Sequence, residues 1–103
     1  MDLISDRVEV ELPEGAVLPG PRAFTWRGQR YVVTDRLQAW ADLGFPPGIK
    51  RRTWLERRHR NYFRVRTEEG YVWEIYLDRT GGRRDWFLSR RWDPGEAEAQ
   101  GLG

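Results

Sequence analysis

The residues with the most chemical potential in this chain lie between positions 50 and 66. Lys50, Arg51, Arg52, Arg57, Arg58, Arg60, Arg64 and Arg66 stand there against Glu56 alone, eight cations to one acid and a local charge of +7. Trp54, Tyr62 and Phe63 are interleaved with them. Guanidinium groups neutralise phosphates and aromatic rings stack on bases, so the block has the composition of a nucleic-acid surface, with single strands favoured over duplex. Of the 18 basic residues only Lys50 is lysine. Arginine forks onto carboxylate or phosphate and stacks on rings in a way lysine does not. The same bias also follows from a GC-rich genome or from the charged networks of a warm-living host. Both readings stay open.

Other chemistries find little to work with. With no cysteine there is no disulfide framework, thiolate metal site or cysteine nucleophile. A single histidine, His59, excludes most His-built zinc sites and has no nucleophile beside it. The phosphate-loop, dinucleotide, nucleophile-elbow and zincin motifs are all missing. Glu68 and Glu69 sit where a turn is expected, and solvation explains them. The expectation is therefore a binding module, not an enzyme, with no cofactor and no metal.

The size of the chain bounds what can hold such a surface. One hundred and three residues make one domain, which buries roughly 65% of the surface its unfolded chain exposes. Six Trp among 14% aromatic residues suit a small core built from large side chains. Apolar runs of a few residues fall far short of the roughly 20 that a membrane helix needs. The opening MDLISDRVEVEL lacks the basic-then-apolar order of a secretory signal. A cytoplasmic location with no membrane contact is expected.

Periodicity supplies the elements. RVEVEL at 7–12 alternates, placing Val8, Val10 and Leu12 on one face of a strand. Proline and glycine then punctuate 12–21 as a loop. FTWRGQRYVV at 24–33 reads as a hairpin, with Gly28-Gln29 as a type II′ turn that pairs Trp26 with Tyr31 and Phe24 with Val33. Leu37, Trp40 and Ala41 follow at helical spacing, which favours a short helix over 35–43. A strand continuing through a bulge, which delivers Trp40 to the core, fits the same residues. Thr53-Trp54-Leu55-Glu56 matches a capping box, so 54–60 is either a turn or two of helix or a basic loop.

NYFRVRT, GYVWEIYLD and DWFLSRRW are three further alternating runs. A three-residue turn at 68–70 sets Val65 against Trp73 and Phe63 against Ile75. Extension to the third run sets Leu77 against Trp86 and Ile75 against Leu88. Trp26, Trp40, Trp73 and Trp86 are assigned to the core. The opposite face falls into three rows: Tyr62, Tyr76 and Phe87; Arg64, Glu74 and Ser89; Arg66, Val72 and Arg91. The ring row is either an exposed stacking platform or a second small core under the 35–43 helix or the basic loop. Residues 94–103, PGEAEAQGLG, read by composition as a disordered acidic tail.

The fold class is thus mainly β, a strongly curved, barrel-like antiparallel sheet of about six strands over 1–93 with one or two short helices; α+β is the alternative. The nucleic-acid surface is assigned to Arg51, Arg52, Arg57, Arg58, Arg60, Arg64, Arg66, Tyr62, Tyr76, Phe87 and Arg91. The alternative is a module that docks a protein partner or a second copy through an apolar patch or a free sheet edge.

The skeleton Phe24-x-Trp26-Arg27-Gly28-x-x-Tyr31-x-Val33, Trp40, Tyr62-Phe63-Arg64-Val65, Gly70, Tyr76-x-Asp78 and Trp86-x-Leu88-x-Arg90-x-Trp92-Asp93 resembles a small bacterial domain family of unknown function. The resemblance spans roughly 24–93 and departs at 45–60, where relatives tend to carry a tryptophan pair and acidic residues. Members are often encoded beside Y-family translesion polymerase-like proteins. The resemblance therefore implies a part in DNA damage tolerance and a polymerase-like partner as the alternative ligand.

Overall fold

Alternation of apolar and polar residues becomes six antiparallel strands in a computed structural model that describes residues 1–15, 20–42 and 59–102. The strands are β1 (Asp2–Glu11), β2 (Ala23–Trp26), β3 (Gln29–Asp42), β4 (Arg60–Thr67), β5 (Val72–Asp78) and β6 (Asp85–Trp92), followed by helix α1 (Pro94–Ala99). Each pairs with the next, and β6 returns to β1, so the sheet closes into a barrel without free long edges. Closure works because two long strands each serve two neighbours. β1 pairs through residues 2–8 with β6 and through 9–11 with β2. β3 pairs through residues 29–32 with β2 and through 33–42 with β4.

The barrel interior takes the face that parity assigns. Phe63, Val65, Trp73, Ile75, Leu77 and Leu88 are buried, and Trp86 packs half-buried against them. Val65↔Trp73, Phe63↔Ile75, Leu77↔Trp86 and Ile75↔Leu88 are the observed register pairs. Val8, Phe24 and Trp26 complete the core from the amino-terminal strands. Trp73 stands at its centre, edge-on to Phe24 at 5.1 Å and to Trp26 at 5.7 Å. Its Nε1–H donates to Thr67 Oγ1 at 2.9 Å, which satisfies the one polar atom a buried indole carries. Leu12, expected inside, lies beyond the end of β1 and is exposed.

Four expectations need correcting. Residues 35–42 are strand, not helix. The helical spacing of Leu37, Trp40 and Ala41 arises because register shifts at Val33/Asp35 and Arg36/Gln38 insert extra residues into a period-two pattern. The hairpin turns on Arg27-Gly28, one residue earlier than expected, so Phe24 faces Tyr31 and Trp26 faces Gln29. Both turn residues have positive φ, +50° and +79°, the mark of a type I′ turn. Each partner moves by two residues, so every side chain keeps its face.

The third correction lies in β6. The register slips between Glu74 and Ile75, leaving Ser89 as an extra residue. Beyond it parity inverts: Trp92, not Arg91, lies opposite Val72, and Arg91 faces Trp73. Trp92 joins Val72 and Ala97, with Leu37 and Leu102 packed against them, in a second small cluster. The fourth is the tail. Asp93 caps α1 by accepting from Glu96 N–H at 2.8 Å while the Glu96 carboxylate accepts from Asp93 N–H at 3.3 Å. At the other end Gly101 (φ +66°) closes a Schellman motif, with Leu102 N–H donating to Ala97 O. Two good caps, the buried Ala97 and the partly buried Leu102 order a segment whose composition alone suggests disorder.

Candidate functional site

The alternation that sends Phe63, Ile75 and Leu88 inward sends their neighbours to the outer wall. Register then aligns Tyr62 with Tyr76 and Tyr76 with Phe87, as the sequence predicts. Continuation of β3 adds a fourth ring, because Trp40 lies opposite Tyr62. The rings step across β3, β4, β5 and β6 at centroid distances of 5.2, 5.0 and 5.3 Å, with interplanar angles of 3°, 38° and 23°. Those steps nearly equal the spacing between strands, about 4.8 Å. Each ring therefore stands upright with its faces turned to its neighbours. A base cannot lie flat over the row. What the row presents outward is ring edges; past Phe87 the next residue in register is Arg7, and no further ring follows among the described residues.

All four rings are half-buried. Trp40 thus belongs to this row and not to the core. The helix that was one candidate roof is absent, since 35–42 forms part of the wall itself.

Arginines lie against the rings. Arg60 Nη1 donates to Tyr62 Oη at 3.3 Å, and its Cζ stands 4.9 Å from the Tyr76 centroid. Arg64 Cζ lies 5.4 Å from the Trp40 centroid and 4.8 Å from that of Trp92. Beneath Arg64 is Glu74, only 5% exposed on an outward-facing position. Glu74 is held by Arg64 Nη2 at 3.1 Å, Arg90 Nε at 3.5 Å and the Ser89 hydroxyl at 3.1 Å. The bulge at Ser89 brings these partners together, because it lets Ser89 and Arg90 reach the same carboxylate. Trp40, Tyr62, Arg64, Glu74, Ser89 and Arg90 line a shallow groove of about 580 Å³. The Nε atoms of Arg60 and Arg64 are buried without a hydrogen-bond partner.

Burial pushes the Tyr76 phenol above its ordinary pKa, and the Arg60 charge pulls part of the way back. The folded state thus holds this proton more tightly than the unfolded chain does. That contribution to stability is complete below the unfolded pKa of about 10 and is lost as pH rises through the folded value. Tyr76→Phe is expected to flatten the loss of stability above about pH 10, read from denaturant midpoints on both sides of it. An equally steep alkaline decline in the variant would show that Tyr76 is not its source.

The other assigned residues separate. Arg66 pairs with Asp35 at 3.3 Å and lines a pocket against α1. Arg91 is turned to the barrel end, where it bonds Asp2 at 2.7 Å and lies over Trp26, Tyr71 and Trp73 at 5.3–5.7 Å. It does not belong to the row, for the bulge has reversed its face. Arg51, Arg52, Arg57, Arg58 and the capping box at 53–56 lie outside the described residues. Trp40 and Arg90 are the members that sequence reasoning missed. A strand with a single bulge sends Trp40 to the core; the second register shift in β3 returns it to the outer wall, and a bulge at Ser89 leaves no signal in composition.

Arginine is also widely matched to acid. Among the described residues Arg7, Arg27, Arg30, Arg64, Arg66, Arg90 and Arg91 each form an ion pair with a carboxylate. No group of three or more potential metal ligands occurs among the described residues, and none of their helices is long and apolar enough to cross a membrane.

A family model described as Domain of unknown function (DUF6504) matches residues 2–93, the whole barrel up to the cap of α1. No curated protein and no solved structure matches the chain.

Proposed function

The chain belongs to the DUF6504 family of domains of unknown function, and from that premise we propose that it is a non-catalytic, cytoplasmic module that binds single-stranded nucleic acid at the ring row. One observation carries the reading. The chain leaves the barrel at Asp42, two residues after Trp40, and returns at His59, three residues before Tyr62. The segment between these points holds Lys50, Arg51, Arg52, Arg57 and Arg58 against Glu56 alone. The most basic stretch of the sequence is therefore tethered at both ends to one edge of the row. Phosphates would meet the cations, and bases the ring edges and the Phe87 face. Single strands are what such a module would meet in DNA damage tolerance, the setting implied by the resemblance in sequence.

The test is anisotropy of a labelled oligonucleotide. Binding at micromolar protein in about 50 mM salt is expected, weakening steeply as salt rises and tighter for single strand than for duplex. Arg57→Glu and Arg58→Glu together should weaken it sharply while circular dichroism stays unchanged. Undetectable binding by the wild type, or binding indifferent to salt, removes the proposal. A protein-docking module is the second reading, favoured by the pairing of so many wall arginines with acids; it predicts a partner captured regardless of moderate salt.

A further inference from the structure

The connection between β5 and β6 reads Arg79-Thr80-Gly81-Gly82-Arg83-Arg84, three cations without an acid, and the fold brings it to the same barrel end as the ring row. Arg79 N–H donates to His59 O at 2.6 Å and Arg79 Nη1 to Asn61 Oδ1 at 3.1 Å, which docks the connection on the start of β4. Arg83 and Arg84 are exposed, and among the described residues no ion pair or side-chain hydrogen bond engages either one. That sets them apart from the seven arginines already matched to carboxylates. They immediately precede β6, whose Phe87 ends the row. Arg84 also lines a groove of about 640 Å³ with Arg7, the residue beyond Phe87 in register. Arg83 and Arg84 thus enter the strand that carries the row's terminal ring, at the side away from Trp40, and the groove beside Arg84 also holds Glu9 and the Arg7–Asp85 ion pair.

We propose that Arg83 and Arg84 form a second phosphate-binding site, which holds the backbone of a strand whose base stacks on the outer face of Phe87. The inference rests on the reading above for its ligand and extends it to residues that no motif in the sequence marks. Two exposed guanidiniums without partners lose no intramolecular bond when phosphate arrives. Their full binding energy is available to the ligand, unlike that of Arg64 or Arg90. On single strands each contact contributes about 0.7 to the salt slope, so two contribute about 1.4.

The experiment titrates two probes, a labelled oligothymidylate and an inorganic polyphosphate chain without bases, into the wild type and into R83A/R84A. The double variant is expected to bind the oligonucleotide roughly 25-fold more weakly at about 0.1 M salt, with its slope lower by about 1.4. R83K/R84K should restore the slope. Wild-type affinity and slope in the alanine variant for both probes would overturn the second site and leave the ring reading standing. Polyphosphate bound in an Arg83/Arg84-dependent way, with no preference for the oligonucleotide, would keep the site and overturn the ring reading. A wild type that binds neither probe overturns both.

Discussion

Trp73→Ala is expected to leave the barrel unfolded or nearly so at 25 °C, a loss of about 3–5 kcal/mol or more. A single domain of this size has about 5–15 kcal/mol in all. Trp73 is fully buried and touches the rings of Phe24, Trp26, Tyr31 and Tyr71 at centroid distances of 4.8–5.8 Å. Those partners come from both halves of the chain, so the cavity would open where the amino-terminal strands meet the β4–β6 meander. Removal also strips Thr67, 1% exposed, of its indole donor and takes away one of the rings beneath Arg91. Trp73→Phe keeps a ring and loses only the Nε1–H contact and part of the volume, so it should cost distinctly less. Urea titration followed by far-ultraviolet circular dichroism measures both, since six tryptophans make fluorescence ambiguous. A Trp73→Ala midpoint close to wild type would mean that this residue is not the hub of the core.

The contrast between Trp73 and Trp40 shows what the sequence could and could not convey. Both lie in apolar surroundings in the chain, and composition assigns both to the core. Parity separates them, but only once the element is known, and two register shifts in β3 disguise its strand as helical spacing. In the meander, where alternation runs unbroken from Tyr62 to Leu88, every cross-strand partner follows from turn length. Legibility fails at irregularities. The extra residue at Ser89 inverts the faces of Arg91 and Trp92, which moves one arginine out of the row and another, Arg90, onto Glu74. The turn at Arg27-Gly28 was displaced because glycine was expected at the first central position, whereas a type I′ turn accepts Arg27 there with positive φ and places Gly28 second. In α1 the capping residues Asp93, Glu96 and Gly101 were readable as such and were outweighed by a composition poor in apolar side chains. Of the ring row, three members were legible from period two alone; that the rings stand on edge against one another was not.

Glu74→Gln should destabilise the protein and tighten its hold on single strands at the same time. The substitution keeps the shape of the side chain and removes the charge that Arg64 and Arg90 share. Breaking a fully buried pair from one side costs about 3–5 kcal/mol. Here the arginine side chains are 20% and 46% exposed against 7% for Glu74, so solvent screens part of the interaction and about 2 kcal/mol is expected. The binding effect has the opposite sign. With the carboxylate neutral, the two guanidiniums beside Trp40 and Tyr62 are free to meet phosphate. If they add one effective contact, the salt slope rises by about 0.7 and affinity rises roughly fivefold at about 0.1 M salt. A merely structural Glu74 gives a different pattern, since a looser wall should bind less well in step with its lost stability. Weaker oligonucleotide binding by Glu74→Gln, measured where the variant is still folded, would place Arg64 and Arg90 in the architecture of the wall and outside the contact surface. Tighter binding by the less stable protein has no explanation in folding alone, and it would tie the groove above Glu74 directly to the ligand.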